Sequence, residues 1–193
     1  MMTGRLSRLL SALCVVVLLA TGCSGGEGGE TGYLTSVSTV EVPLEDRTDP
    51  IDLDGTGLDD EELTLAELRG QPAVVVVWGS WCPPCREEVP DLISIADEYD
   101  GKVGFLGVNV RDASPETAQA FVRSKAIPYS SVYSPDGEAL LAFRDSIRLG
   151  PTMIPSIVVL DSKGRVASAI IGPLPSRTTL TTLIDDVLAE SDG

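Results

Sequence analysis

The sequence predicts an α/β fold, a mixed sheet covered by helices. Three observations carry this expectation. Ala73 to Trp78 is a continuous apolar, β-branched run of the kind buried on both faces of a parallel sheet, and Val103 to Val110 is a second. Between them Val89, Leu92, Ile93, Ala96 and Tyr99 fall at helical spacing, which completes a β-α-β unit. Farther on, Ser156 to Leu160 and Arg165 to Ile171 flank Asp161-Ser162-Lys163-Gly164, which reads as a β-hairpin turn.

At the N-terminus, residues 1 to 22 carry Arg5 and Arg8 with no acidic residue, then an apolar core from Leu9 to Ala20, ahead of Cys23. This is the layout of a signal peptide whose apolar core is too short to span a bilayer as a permanent helix. Leu19-Ala20-Thr21-Gly22-Cys23 resembles a bacterial lipobox, in which cleavage leaves the cysteine as the lipidated first residue. Ala20 departs from the Leu or Val usual three residues before that cysteine. The competing reading is ordinary secretion with a free Cys23. Under either one the mature domain works outside the cytoplasm, where disulfides persist. Under the first it is anchored to the bacterial cell membrane through the lipid on Cys23.

Residues 23 to 39 are rich in Gly, Ser, Thr and Glu and are expected to form a flexible tether. Residues 40 to 193 then make one domain with a sizeable core, and no internal repeat is visible. Within it, Ser114-Pro115-Glu116 marks a helix start, with a capping Ser and Pro at the first helical position, leading into Thr117 to Lys125. A shorter helix is expected over Glu138 to Phe143. Ser176 caps a final helix whose Leu180, Leu183, Ile184, Val187 and Leu188 form one apolar stripe.

Charge narrows the partners. With 14 basic and 29 acidic residues the chain is at net −15, and loss of Arg5 and Arg8 makes it more negative still. Such a surface repels nucleic acid and anionic headgroups. It suits basic protein partners, although solubility alone also accounts for it. The densest acidic run, Asp59-Asp60-Glu61-Glu62, reads as a solvated turn.

The chemistry lies in the cysteines. The chain has four of them and no histidine. If Cys14 leaves with the leader and Cys23 is acylated, Cys82 and Cys85 are the only thiols left. They stand in Trp81-Cys82-Pro83-Pro84-Cys85, between the valine run and the helix beginning near Arg86, a place for a redox pair. A structural disulfide closing so short a loop contributes only about 2 kcal/mol, against about 4.7 kcal/mol for a 100-residue loop. Zinc needs four suitable ligands, and neither a histidine nor a second cysteine pair is present. Haem attachment needs histidine after the second cysteine, where Arg86 stands, and a cysteine-histidine copper site lacks its imidazole. No metal or other cofactor is expected.

A thiolate attacks a disulfide, so a working pair needs one sulfur with a lowered pKa and some exposure. The N-terminus of a helix supplies unpaired N–H groups and a favourable dipole. Cys82, directly before Pro83-Pro84, takes that place and is assigned as nucleophile, with Cys85 as the resolving thiol. The two prolines stiffen the loop and withhold hydrogen bonds from the sulfur, which keeps Cys82 less acidic.

Leu65-Ala66-Glu67-Leu68-Arg69-Gly70-Gln71-Pro72, the valine strand, Trp78-Gly79-Ser80-Trp81-Cys82-Pro83-Pro84-Cys85 and Glu87-Glu88-Val89-Pro90 resemble thioredoxin-like proteins of the TlpA/ResA group. The similarity runs on through Gly107-Val108-Asn109-Val110 and Ile154-Pro155-Ser156 to about Glu190. It implies a thioredoxin-like fold with an N-terminal β extension and a central insertion, and a membrane-anchored thiol-disulfide oxidoreductase, monomeric and without a cofactor. Pro155 matches the group's cis-proline, whose preceding residue, Ile154, would present its backbone to an extended substrate segment. Trp81, Pro83 and Pro84 join Ile154 and Pro155 as expected substrate contacts. Glu88 matches an acidic residue that assists proton transfer; a first-turn carboxylate favoured by the helix dipole is its other reading. Pro90 matches a helix kink. Two departures stand out: Val76 occupies the place of the buried aspartate of thioredoxins, which leaves Glu88 to deprotonate Cys85, and Ser156 replaces a threonine.

The resemblance implies reduction of protein disulfides, for example those of apocytochrome c before haem attachment, with electrons from a membrane thiol-disulfide donor. Oxidation or shuffling of exported proteins is the alternative. A non-catalytic binding lipoprotein, which predicts that Cys82→Ser leaves the phenotype intact, is the third reading.

Overall fold

The computed structural model describes residues 32–191. The expected leader, the expected lipidation site Cys23 and residues 23–31 of the expected tether lie outside the described residues. Among the described residues no helix is long and apolar enough to cross a membrane.

The first elements are β1 (Ser38–Glu41), β2 (Asp54–Thr56) and β3 (Glu62–Thr64), followed by β4 (Ala73–Trp78), α1 (Pro83–Glu98) and β5 (Gly104–Asn109). Then come α2 (Pro115–Lys125), β6 (Ser131–Tyr133), β7 (Ser156–Leu160), β8 (Val166–Ile171) and α3 (Arg177–Ser191). Six strands make one mixed sheet in the order β1-β8-β7-β4-β5-β6, while β2 and β3 pair as a separate hairpin. β4, β5 and β6 run parallel, and β7, β8 and β1 join antiparallel. The mixed sheet expected from the sequence is therefore present.

Every residue of β4 and β7 is buried. That is why these segments carry no polar alternation: the central strands of a sheet covered on both faces have no wet side. Each fully buried Val or Leu adds about 1.5–3 kcal/mol relative to an exposed one, so the two strands anchor the domain. α3 presents Leu180, Leu183, Ile184 and Val187 to the core. It is tied to α1 by the Tyr99 hydroxyl, which donates to Asp185 at 2.7 Å, and by the Arg177–Glu98 ion pair. Ser176 caps it, its hydroxyl accepting from the Thr179 N–H at 3.1 Å.

The shorter helix expected over Glu138–Phe143 is present, as a 3-10 helix that buries Leu140 and Phe143. Three local readings are corrected. Ser114 does hold the N-cap position of α2, but its hydroxyl meets that of Thr117 and caps no backbone N–H. The acidic run is the turn of the β2–β3 hairpin only in its first half, since Glu62 already belongs to β3. The tether ends earlier than expected. Ser38 and Thr39 belong to β1, and the Leu34 N–H donates to the Ile154 carbonyl at 2.6 Å. A polar Gly/Ser/Thr segment can be held entirely through its backbone, and that leaves no compositional trace.

Candidate active site

The register of the sheet assembles the site. Val77 in β4 pairs with Ser156 in β7, so the chain leaving β4 toward Cys82 and the Ile154-Pro155 peptide lie at the same end of neighbouring strands. Parallel β5 ends there too, and Asn109, Val110, Arg111 and Asp112 follow from it. Sites in open α/β sheets gather at the carboxyl ends of the parallel strands.

Cys82 and Cys85 are joined by a disulfide with Cα atoms 5.3 Å apart. Cys82 is the N-cap of α1, Pro83 and Pro84 fill its first positions, and the Cys82 sulfur accepts from the Cys85 N–H at 3.2 Å. The helix start thus directs one of its unpaired N–H groups at the predicted nucleophile, which favours negative charge on that sulfur once the disulfide opens. One expectation fails. The attacking sulfur needs exposure, yet Cys82 is 0% and Cys85 2% exposed. Pro83 is exposed and Pro84 half-buried. Pro155 is buried behind a cis Ile154–Pro155 bond, as the resemblance implies.

Glu88 lies one helical turn beyond Cys85 and is 6% exposed. One carboxylate oxygen accepts from the Leu174 N–H at 3.1 Å, and the other has no partner. Burial pushes its pKa up to about 8, with the Leu174 bond acting weakly the other way. Burial, and secondarily the Glu88 charge, also push the Tyr129 phenol up. Val76 is buried in β4, so the aspartate position of thioredoxins holds an apolar side chain.

Sequence reasoning missed the residues that fix the loop ahead of Cys82. Asp112, buried, accepts from the Ser80 N–H at 2.9 Å, from the Ser80 hydroxyl and from the Asn109 amide at 2.6 Å. Tyr133 donates to the Asp112 carbonyl at 3.1 Å. The available signal was position, directly after a parallel strand. Trp81 donates its indole N–H to the Val110 carbonyl at 3.2 Å and lies over Gly79, where any Cβ would strike the ring. Arg111 stands 4.7 Å above the same ring. Trp78 faces the other way, donating to the Ser131 hydroxyl at 3.1 Å and packing on Phe121.

Comparisons with known proteins agree with this fold. The thiol:disulfide interchange protein HelX of Rhodobacter capsulatus is 35% identical over 127 residues, 65% of this chain and 66% of that protein. A solved DsbF homologue from Corynebacterium diphtheriae superposes with a TM-score of 0.71 at 28% identity, covering 83% of this chain and 95% of that one. A thiol:disulfide interchange protein of the thioredoxin family from Chlorobium tepidum gives 0.65 at 26%, covering 74% and 97%. The family model described as Redoxin matches residues 39–184. This chain, with its thioredoxin-like fold, belongs to the Redoxin family.

Proposed function

We propose that this protein is an extracytoplasmic thiol-disulfide oxidoreductase that reduces protein disulfides through Cys82 and Cys85. The observation that carries this reading is the closed Cys82–Cys85 pair at the N-terminus of α1, with the buried carboxyl of Glu88 one turn behind it. The lipobox-like Thr21-Gly22-Cys23 supports a membrane anchor. The resemblance to membrane-anchored reductants supports apocytochrome c as a substrate.

In the reductive direction the Cys82 thiolate attacks one sulfur of a substrate disulfide. That S–S bond breaks, a mixed disulfide forms, and the departing sulfur takes a proton. Cys85 then loses its proton and its thiolate attacks the Cys82 sulfur, releasing the second substrate thiol. Two electrons and two protons pass to the substrate, and the Cys82–Cys85 disulfide is left. A membrane dithiol donor returns the pair to its reduced form. We assign the ionised form of Glu88 to take the Cys85 proton: its pKa of about 8 is close to that of a thiol, so the transfer is nearly balanced once the carboxyl has given up its own proton.

The reduction potential of the pair tests direction. A value near the −270 mV of thioredoxin, on the order of that figure, supports reduction; one near −120 mV overturns it. Formation and shuffling of disulfides is the second reading, favoured by the 29% identity to a secreted thiol-disulfide isomerase of Corynebacterium glutamicum. In cells, Cys85→Ser leaves the mixed disulfide through Cys82 unresolved. Capture of apocytochrome c supports the substrate proposed, and its absence among the trapped proteins removes it.

A further inference from the structure

Four contacts fasten the stretch just ahead of β1 onto the end of the sheet that carries the disulfide. The Arg111 guanidinium donates to the Gly32 carbonyl at 2.7 Å. The Tyr33 ring packs against Trp81 at 6.5 Å between centroids. Leu34 donates its N–H to the Ile154 carbonyl at 2.6 Å. The Ser36 carbonyl sits on Gly172, where any Cβ would collide with it, and the Gly172 N–H is in turn bonded to the Pro155 carbonyl at 2.9 Å. The two glycines make the fit possible. A Cβ on Gly32 would stand 2.7 Å from the Arg111 guanidinium, and both Gly32 and Gly172 have positive φ, at 73° and 108°.

Ile154 is the residue whose backbone an incoming extended segment would pair with. Its carbonyl is already taken, by main chain from the same molecule. With residues 32–36 in this position Cys82 is 0% exposed.

We propose that Gly32–Ser36 is a built-in competitor for the substrate groove, and that its contacts state what a partner must offer to displace it. The partner presents an extended, uncharged segment: a carbonyl for Arg111, an aromatic side chain on the next residue for Trp81, and one residue later an N–H for the Ile154 carbonyl. This rests on the oxidoreductase reading above and adds to it a substrate class and a brake. A segment of the right form displaces the competitor, and one lacking the aromatic residue or the free N–H exchanges slowly.

The test uses the full chain, reduced, with Leu34→Pro, which deletes the N–H while leaving β1 unaltered. The probe is a synthetic extended peptide with one aromatic residue beside a disulfide. Loss of a single net hydrogen bond raises its second-order exchange rate about 2- to 12-fold, through KM with kcat unchanged. An equal or lower rate in the variant overturns the proposal. The free peptide Gly-Tyr-Leu-Thr-Ser-Val, added in trans, slows Leu34→Pro more than the natural chain; equal inhibition of the two also overturns it. In the natural chain the Leu34 amide is protected from hydrogen exchange and loses that protection when the peptide is held as a mixed disulfide on Cys85→Ser; protection that persists counts against it. Titration with 5,5′-dithiobis(2-nitrobenzoate) separates the two levels of failure. Thiols unreactive in both the natural chain and Leu34→Pro remove the oxidoreductase reading itself, whereas thiols equally reactive in the two remove only the competitor.

Discussion

Two carboxylates flank the redox pair, equally buried and oppositely treated. Asp112, on the loop after β5, has both oxygens engaged by three donors from Ser80 and Asn109. Glu88, on α1, receives one N–H from Leu174 and leaves its second oxygen without a partner. A buried carboxylate is tolerable when hydrogen bonds replace the water it has lost. Asp112 meets that condition and works as a clamp on the loop that leads to Cys82. Glu88 does not, so it holds a proton at a pH where most carboxyls have lost theirs. Burial is therefore a poor guide to role; the number of donors aimed at each oxygen separates the clamp from the proton carrier.

The largest expected effect exploits the Glu88 half of the contrast. Its pKa is about 8 folded against an ordinary value of 4.5. The unfolded chain therefore gives up this proton first as pH rises. The stabilisation is complete below pH 4.5 and is lost by pH 8, an upper limit of about 4 to 5 kcal/mol. Glu88→Gln keeps an acceptor for Leu174 and does not titrate. Melts of the oxidised proteins should thus show the natural chain losing ground to Glu88→Gln between pH 5 and pH 8, by about 10 °C at the upper end. Parallel pH profiles would return Glu88 to an ordinary helix-start carboxylate. Resolution of the mixed disulfide, followed at pH 7, should also slow about 100-fold in the variant if the carboxyl takes the Cys85 proton.

Asp112→Ala comes next. It leaves the Ser80 N–H and the Asn109 amide without an acceptor in a buried place, and each orphaned donor costs about 1–3 kcal/mol. The loss should be about 2–6 kcal/mol, measured by denaturant midpoint. A loss below about 1 kcal/mol would mean that the three donors do not depend on Asp112, and the contrast with Glu88 would fail.

Local pattern accounts for what was legible in the sequence. β4 and β7 show as unbroken apolar runs because both faces are covered, and Cys82, Pro83 and Pro84 announce a helix start within three residues. Glu88 was reachable only through the resemblance, which matches it to an acidic residue near the cysteines. The clamp was not: Ser80 and Asp112 are 32 residues apart, and neither type is unusual in a loop. The pairing of Arg111 with Gly32 spans 79 residues and uses a backbone carbonyl, which every residue possesses. Hydrogen bonds to main chain leave no mark on composition, so residues 32–37 read as tether.

The smallest effect tests how the clamp divides its work. Ser80 contributes two donors to Asp112, a backbone N–H that survives any substitution and a hydroxyl that does not. Ser80→Ala removes the hydroxyl, the donor to Asp112 Oδ1, and leaves Oδ2 with the Ser80 N–H and the Asn109 amide. The expected loss is that of one acceptor left without its donor, about 1–3 kcal/mol, with Tm lower by about 2–4 °C for each kcal/mol. Because the loop stays anchored through its backbone, the exchange rate with a peptide disulfide should stay within about twofold of the natural chain. A loss as large as that of Asp112→Ala would instead place the whole clamp in the hydroxyl. The loop before Cys82 would then hang on one rotatable side chain, and the likeness between its support and the single bond holding Glu88 would be closer than their donor counts imply.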